Sequence, residues 1–183
     1  PRRRLINSIL YCQQEVMACF EEYQHTRIGA REEADGTRPA AAPFSREMVL
    51  DYLERGRTDL RRVAERCVGT AFIPLREAIA RVMARLETLL EDVRAAHELD
   101  FAALERELGR LEQILDDALL ACLPEERLEQ IRRDGQAQLK EYKKRMAKEL
   151  YEQTLANYVK KRVREDYGVP RLSLFYLLSL IHI

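Results

Sequence analysis

The chain has no tryptophan and few residues that interrupt helices. Its 183 residues include seven glycines and six prolines, whereas these two types make up about 12% of an average protein. Alanine, leucine, glutamate and arginine, which favour helices, are abundant instead. A chain of this length suits one domain with a sizeable core. The composition therefore predicts an all-α protein with long helices.

Recognisable motifs for catalysis and metal binding are also missing. The sequence has no glycine-rich phosphate loop, no Gly-x-Ser-x-Gly and no Cys-x-x-Cys. Cys12 and Cys19 lie on one predicted helix about 10 Å apart, which is too far for a disulfide. We interpret these two cysteines, with Cys67 and Cys122, as small buried side chains in a reducing cytoplasm.

One pair of residues matches a metal-binding pattern. Glu22 and His25 form a Glu-x-x-His, which di-iron helical bundles use twice. A second copy is absent, because the residue three positions before His97 is Arg94. We therefore expect no catalytic residue, no metal and no cofactor, and we interpret His97 as an ordinary surface residue. The alternative, a metal-dependent enzyme at Glu22 and His25, predicts bound metal in purified protein.

Apolar residues recur at steps of three and four along most of the chain, which is typical of helices. The pattern predicts an N-terminal helix over 1–27, a flexible linker over 28–43, a long antiparallel helical hairpin over 44–168 and an extended tail over 169–177. Ser45 and Asp100 are expected to cap helices. Residues 178–183 can be encoded by the end sequence of a transposon-library adaptor, so we interpret them as non-native read-through.

The hairpin prediction depends on the register between its two arms. If the chain folds back at residues 98 and 99, apolar or small residues of the two arms lie opposite one another, and the numbers of paired residues have a nearly constant sum. The pairs include Leu86–Leu111, Leu53–Met146, Gly56–Tyr142 and Val63–Gly135. Pro74 and Pro124 fall at the same level, so both arms bend together. We therefore predict a helical bundle built on a kinked, coiled-coil-like hairpin, with the N-terminal helix packed on it.

Charge is distributed unevenly although the chain is neutral overall. Segment 98–134 has 11 acidic residues and five arginines, whereas segment 139–164 has nine basic and three acidic residues. All the lysines lie in the second segment: Lys140, Lys143, Lys144, Lys148, Lys160 and Lys161. Tyrosines lie between them, so one interpretation is nucleic-acid contact through neutralised phosphates. The other is a solvated helix face, or charge complementarity within an assembly.

The segment after Gly168 differs from the helices before it. An extended tail would direct Leu172, Leu174 and Tyr176 to one side and Phe175 to the other. Such a tail folds back on the bundle or adds as a strand to a partner. The same four residues are the candidates for partner docking.

The function that fits these features is a non-catalytic α-helical scaffold, adaptor or oligomerisation module. We expect it to be cytoplasmic, to form part of a larger bacterial protein, and to bind a protein partner or a second copy of itself. The alternative is a nucleic-acid-binding helical protein that uses segment 140–164. The apolar C-terminal segment is shorter than the roughly 20 residues that cross a bilayer, so no membrane association is expected.

Overall fold

A computed structural model describes residues 44–144 and 146–177. Over these residues it contains a 3-10 helix at Thr70–Phe72, five α-helices and no strand. The α-helices are α1 (Arg46–Arg66), α2 (Ile73–Ala95), α3 (Phe101–Ala121), α4 (Glu125–Gln138) and α5 (Lys148–Tyr167). The predicted all-α class is confirmed. The predicted N-terminal helix, the linker and the read-through segment lie outside the described residues.

Three helix boundaries follow the local signals in the sequence. The Ser45 hydroxyl accepts a hydrogen bond from the Met48 amide, and the Asp100 carboxylate accepts one from the Ala103 amide. Each bond satisfies an amide that has no partner within the helix. At the other end, Gly168 closes α5 with φ of 67°, a left-handed conformation that glycine adopts without strain.

The chain reverses between α1 and α2, so the predicted first arm is not one continuous element, whereas α2 and α3 pack together as the distal part of the predicted hairpin. Gly69 adopts φ of 98°, and the 3-10 helix follows before α2 begins. The reversal brings Arg57 of α1 within 3.3 Å of Glu87 of α2. Pro74 therefore lies in the first turn of a new helix, where its missing N–H needs no partner, and does not bend a continuous one.

A second reversal, over residues 139–147, packs α5 against α4. A Cβ at Gly135 would lie 2.5 Å from the Tyr158 ring and 2.8 Å from Leu155. Gly135 therefore allows close approach of these two helices, and its predicted pairing with Val63 is wrong. The reversal contains no glycine or proline, which is why the periodicity of the sequence continues through it.

The core continues from the α1–α2–α3 bundle into the end of α5 and the tail. Its largest fully buried side chains include Leu53, Leu60, Leu75, Leu86, Leu108, Leu115, Leu119 and Leu172. Leu172 packs against Gly56 of α1, where an added Cβ would lie 3.0 Å from its side chain. The predicted contact of Gly56 with Tyr142 is therefore replaced by one with the tail.

Candidate functional site

A buried ion pair joins α5 to α3. Arg164 and Asp116 are only 2% and 6% exposed, and the Arg164 Nε donates to the Asp116 carboxylate. The two terminal guanidinium nitrogens donate to the carbonyls of Glu112 and Pro170, each at 2.9 Å. Lys160 adds a second positive charge 3.5 Å from Asp116. Buried charges with this many partners fix the relative position of the elements that carry them.

The tail, residues 169–177, lies in a groove between α1 and α3 that we call the tail groove. The predicted extended conformation is wrong for its end, because residues 174–177 form a helical turn in which the Leu177 amide donates to the Leu174 carbonyl. On the α3 side, the Glu112 carboxylate accepts a hydrogen bond from the Leu172 amide at 2.7 Å. The Glu105 carboxylate accepts one from the Leu174 amide at 2.8 Å and one from the Ser173 hydroxyl at 2.6 Å. These side chains provide the main-chain partners that a neighbouring strand supplies in a sheet.

The α1 side of the tail groove completes the recognition of the tail backbone. The Tyr52 hydroxyl lies 2.9 Å from the Arg171 carbonyl and 3.0 Å from the Ser173 carbonyl. Next to it, Gly56 leaves space for the Leu172 side chain. The tail groove is thus lined by four residues with distinct roles: Tyr52, Gly56, Glu105 and Glu112.

Burial changes the acidity of two of these groups. It raises the pKa of the Glu105 carboxyl, against the opposing effect of hydrogen bonds from Ser173 and Leu174. Burial also raises the pKa of the Tyr52 hydroxyl well above its usual value, and the nearby Glu112 and Glu105 charges add to that effect. Tyr52, like an ordinary tyrosine, keeps its proton at neutral pH and is a hydrogen-bond donor to the tail; the raised pKa extends this to more alkaline pH.

The structure separates the four tail residues singled out from the sequence. Leu172 and Leu174 are buried in the core, and Phe175 is half-buried. Tyr176 is exposed, with the Arg171 guanidinium 5.5 Å from its ring centroid. The structure therefore describes the tail folded back on its own bundle, and docking of these residues onto a partner stays a prediction.

The six lysines do not lie on one surface. Lys140, Lys143, Lys144 and Lys148 are exposed around the α4–α5 reversal, and we call residues 139–148 the lysine turn. Tyr142 lies among them and is 53% exposed.

The two remaining lysines lie further along α5. Lys160 is about 18 Å from Lys148 by helical rise, and it bonds Gln113 and Asp116 of α3. Lys161 lies 3.9 Å from Glu165 on its own helix. Lys160 is thus engaged with α3, whereas the exposed Lys161 makes the same kind of contact within α5 that Lys148 makes with Glu152, also at 3.9 Å.

The other residues weighed from the sequence contribute little to this site. The His97 side chain is exposed, while its carbonyl accepts a hydrogen bond from Arg46. Glu22 and His25 lie outside the described residues. Cys67 and Cys122 are buried free thiols, and burial raises the pKa of Cys67.

Residues 44–144 and 146–177 contain no group of three side chains placed to hold a metal ion. Over the same residues, no helix is long and apolar enough to cross a membrane.

Sequence reasoning missed the residues that hold the tail. Glu105, Glu112 and Asp116 were counted only as part of an acidic segment, and Arg164 as part of a basic one. Their spacing of seven and four residues places the three acids along one face of α3, beside its buried leucines. Acids so close to an apolar stripe are a usable signal, because a carboxylate at the core margin needs a partner.

Comparisons with protein-family models, with curated proteins and with solved structures found no match to this chain.

Proposed function

We propose that the protein is a non-catalytic α-helical scaffold, adaptor or oligomerisation module. The observation that supports this proposal is the use of its most buried charged groups. Arg164, Asp116 and Glu112 make internal bonds that join α3, α5 and the tail. Charged groups that converge in a cleft often have a catalytic role, but these groups bond to one another and to the backbone, and so hold helices and tail together.

A rigidly held bundle can present fixed surfaces to a partner. The lysine turn is one such surface, because its four exposed lysines lie around the exposed side chain of Tyr142. Tyrosine is enriched at protein interfaces, and a positively charged surface favours association with an acidic partner. A cytoplasmic location belongs to the same proposal, and free buried thiols fit a reducing compartment.

The proposal is tested on the full chain by light scattering, chemical crosslinking and affinity capture. We expect either a defined oligomer or a protein partner that is captured in stoichiometric amount. A strict monomer that captures no partner would contradict the scaffold role.

Nucleic-acid binding by the lysine turn is the second candidate, because phosphate contacts require exposed cations. A gel shift at two salt concentrations tests it. Binding that weakens with salt and is lost when Lys140, Lys144 and Lys148 are changed to Glu supports this candidate. Changing Arg55, Arg61 and Arg81 to Glu is the matched control, since these three exposed residues lie on α1 and α2 and the change reverses the same number of charges. Absence of binding at low salt would rule the candidate out.

A further inference from the structure

The tail groove has the properties of a peptide-binding site that its own chain occupies. Between residues 170 and 174, the groove and Arg164 bond three carbonyls and two amides of the tail at 3.0 Å or less. All of these partners are side chains of α1, α3 and α5. Recognition of backbone by fixed side chains does not depend on whether the peptide comes from the same molecule.

Side-chain selectivity comes from the buried positions of the tail. Leu172, Leu174 and Leu177 are each less than 5% exposed. Arg171 lies 3.6 Å from the Glu112 carboxylate, and the Ser173 hydroxyl donates to Glu105. The tail groove therefore fits a segment of the form Arg-Leu-Ser-Leu-x-x-Leu that turns into a helical conformation at its second leucine, as residues 171–177 of this chain do.

A hinge lies immediately before the tail. Gly168 has a left-handed conformation, and a Cβ there would lie 2.7 Å from the Arg66 guanidinium. Glycine adopts extended conformations as readily as the left-handed one. Rotation at Gly168 would therefore redirect the tail and leave the helix before it intact, with loss of the bond from the Val169 amide to the Arg164 carbonyl.

We propose that two copies of the chain exchange their tails, so that each tail groove binds residues 169–177 of the other molecule. The proposal rests on the oligomerisation role proposed above and names the surface that would serve it. The contacts between tail and groove are the same within one molecule and between two. The backbone conformation at Gly168 and the protein concentration therefore determine whether the monomer or the exchanged dimer is populated. Attachment to its own bundle gives each tail an effective concentration in the millimolar range, which the exchange must overcome.

A complementary pair of full-length variants removes that competition. The first carries Gly56→Leu, which fills the space of Leu172 in the tail groove but leaves the tail native. The second carries Leu172→Asp and Leu174→Asp, which prevent its tail from being buried but leave the groove native. We expect each variant alone to have the mass of one chain in light scattering, and the equimolar mixture to double that mass.

Glu112→Gln, added to the second variant, provides a specificity check. It removes the charge that pairs with Arg171 and weakens the bond to the Leu172 amide. We expect roughly tenfold weaker association of the mixed pair, as loss of a charge-assisted bond would give. Circular dichroism establishes that each variant is folded before mixing.

A second measurement uses only wild-type protein, in case a variant fails to fold. A fluorescent peptide of residues 168–177 is added to the full chain at millimolar concentration. Saturable binding, absent for a peptide with Asp at both 172 and 174, supports the proposal. If the variants are folded, a mixture whose mass does not double overturns the proposal. If a variant is unfolded, the absence of specific peptide binding overturns it. An oligomer that persists unchanged in both variants also overturns exchange, while leaving the scaffold role intact on another surface.

Discussion

Replacing Arg164 by Met should destabilise the bundle strongly. The change leaves Asp116 buried without its main partner and frees the carbonyls of Glu112 and Pro170. Removing one member of a buried ion pair costs about 3–5 kcal/mol. Lys160 remains 3.5 Å from Asp116 and offsets part of the loss, so we expect about 3 kcal/mol.

The assay is urea denaturation followed by circular dichroism at 222 nm, with the free energy of unfolding obtained by linear extrapolation. Arg162→Met is the matched control on the same helix. Its side chain is 51% exposed and pairs with Asp166 and Glu165. Exposed pairs of this kind contribute about 1 kcal/mol or less, so the control should remain near wild-type stability.

A double variant separates the ion pair from other effects of the Arg164 substitution. Asp116→Leu combined with Arg164→Met removes both charges and leaves apolar side chains in their place. We expect this variant to recover at least about 1 kcal/mol relative to Arg164→Met alone, because no carboxylate is left unpaired. A loss below about 1 kcal/mol for Arg164→Met, or a double variant less stable than both single variants, would refute this account of the network.

Two further predictions concern helix packing and pH. Gly135→Ala should lower the free energy of unfolding by about 1–3 kcal/mol, because the added Cβ would lie 2.5 Å from the Tyr158 ring. Gly109→Ala should raise it by about 0.5–1 kcal/mol, because a Cβ there would have no atom within 4 Å and alanine favours the helix. Thermal melts compare the two, and equal effects would contradict the packing at Gly135. Since burial raises the pKa of Glu105 in the folded state, that state binds more protons, and stability falls as pH rises from about 4.3 through the folded pKa. Glu105→Gln should flatten this fall in urea titrations between about pH 4 and pH 7, and an unchanged slope would contradict the assignment.

Local signals predicted the helices better than their arrangement. The caps at Ser45 and Asp100 and the stop at Gly168 involve residues within a few positions of the helix end, so the sequence shows them directly. The reversal at Gly69 was interpreted as a bend, because apolar residues continue at helical spacing across it. A periodic pattern records which face is apolar but not which element covers it.

The tail groove was beyond prediction for a related reason. The ion pair beside it, between Asp116 and Arg164, joins residues 48 positions apart, and neither has a sequence neighbour that reveals the other. The glycines illustrate the same limit. Both Gly56 and Gly135 were expected to face a larger side chain, and both do so, but their partners are Leu172 and Tyr158.

Amide hydrogen exchange at Leu172 and Leu174, measured by NMR on the full chain, tests most directly whether the tail is part of the bundle. Both residues are buried, and their amides donate hydrogen bonds to α3 carboxylates. Their hydrogens should therefore exchange with solvent only when the tail leaves the groove. We predict exchange within about tenfold of the slowest α3 amides, and faster exchange in Arg164→Met. Exchange of these two amides at the rate of an unfolded chain would contradict the account.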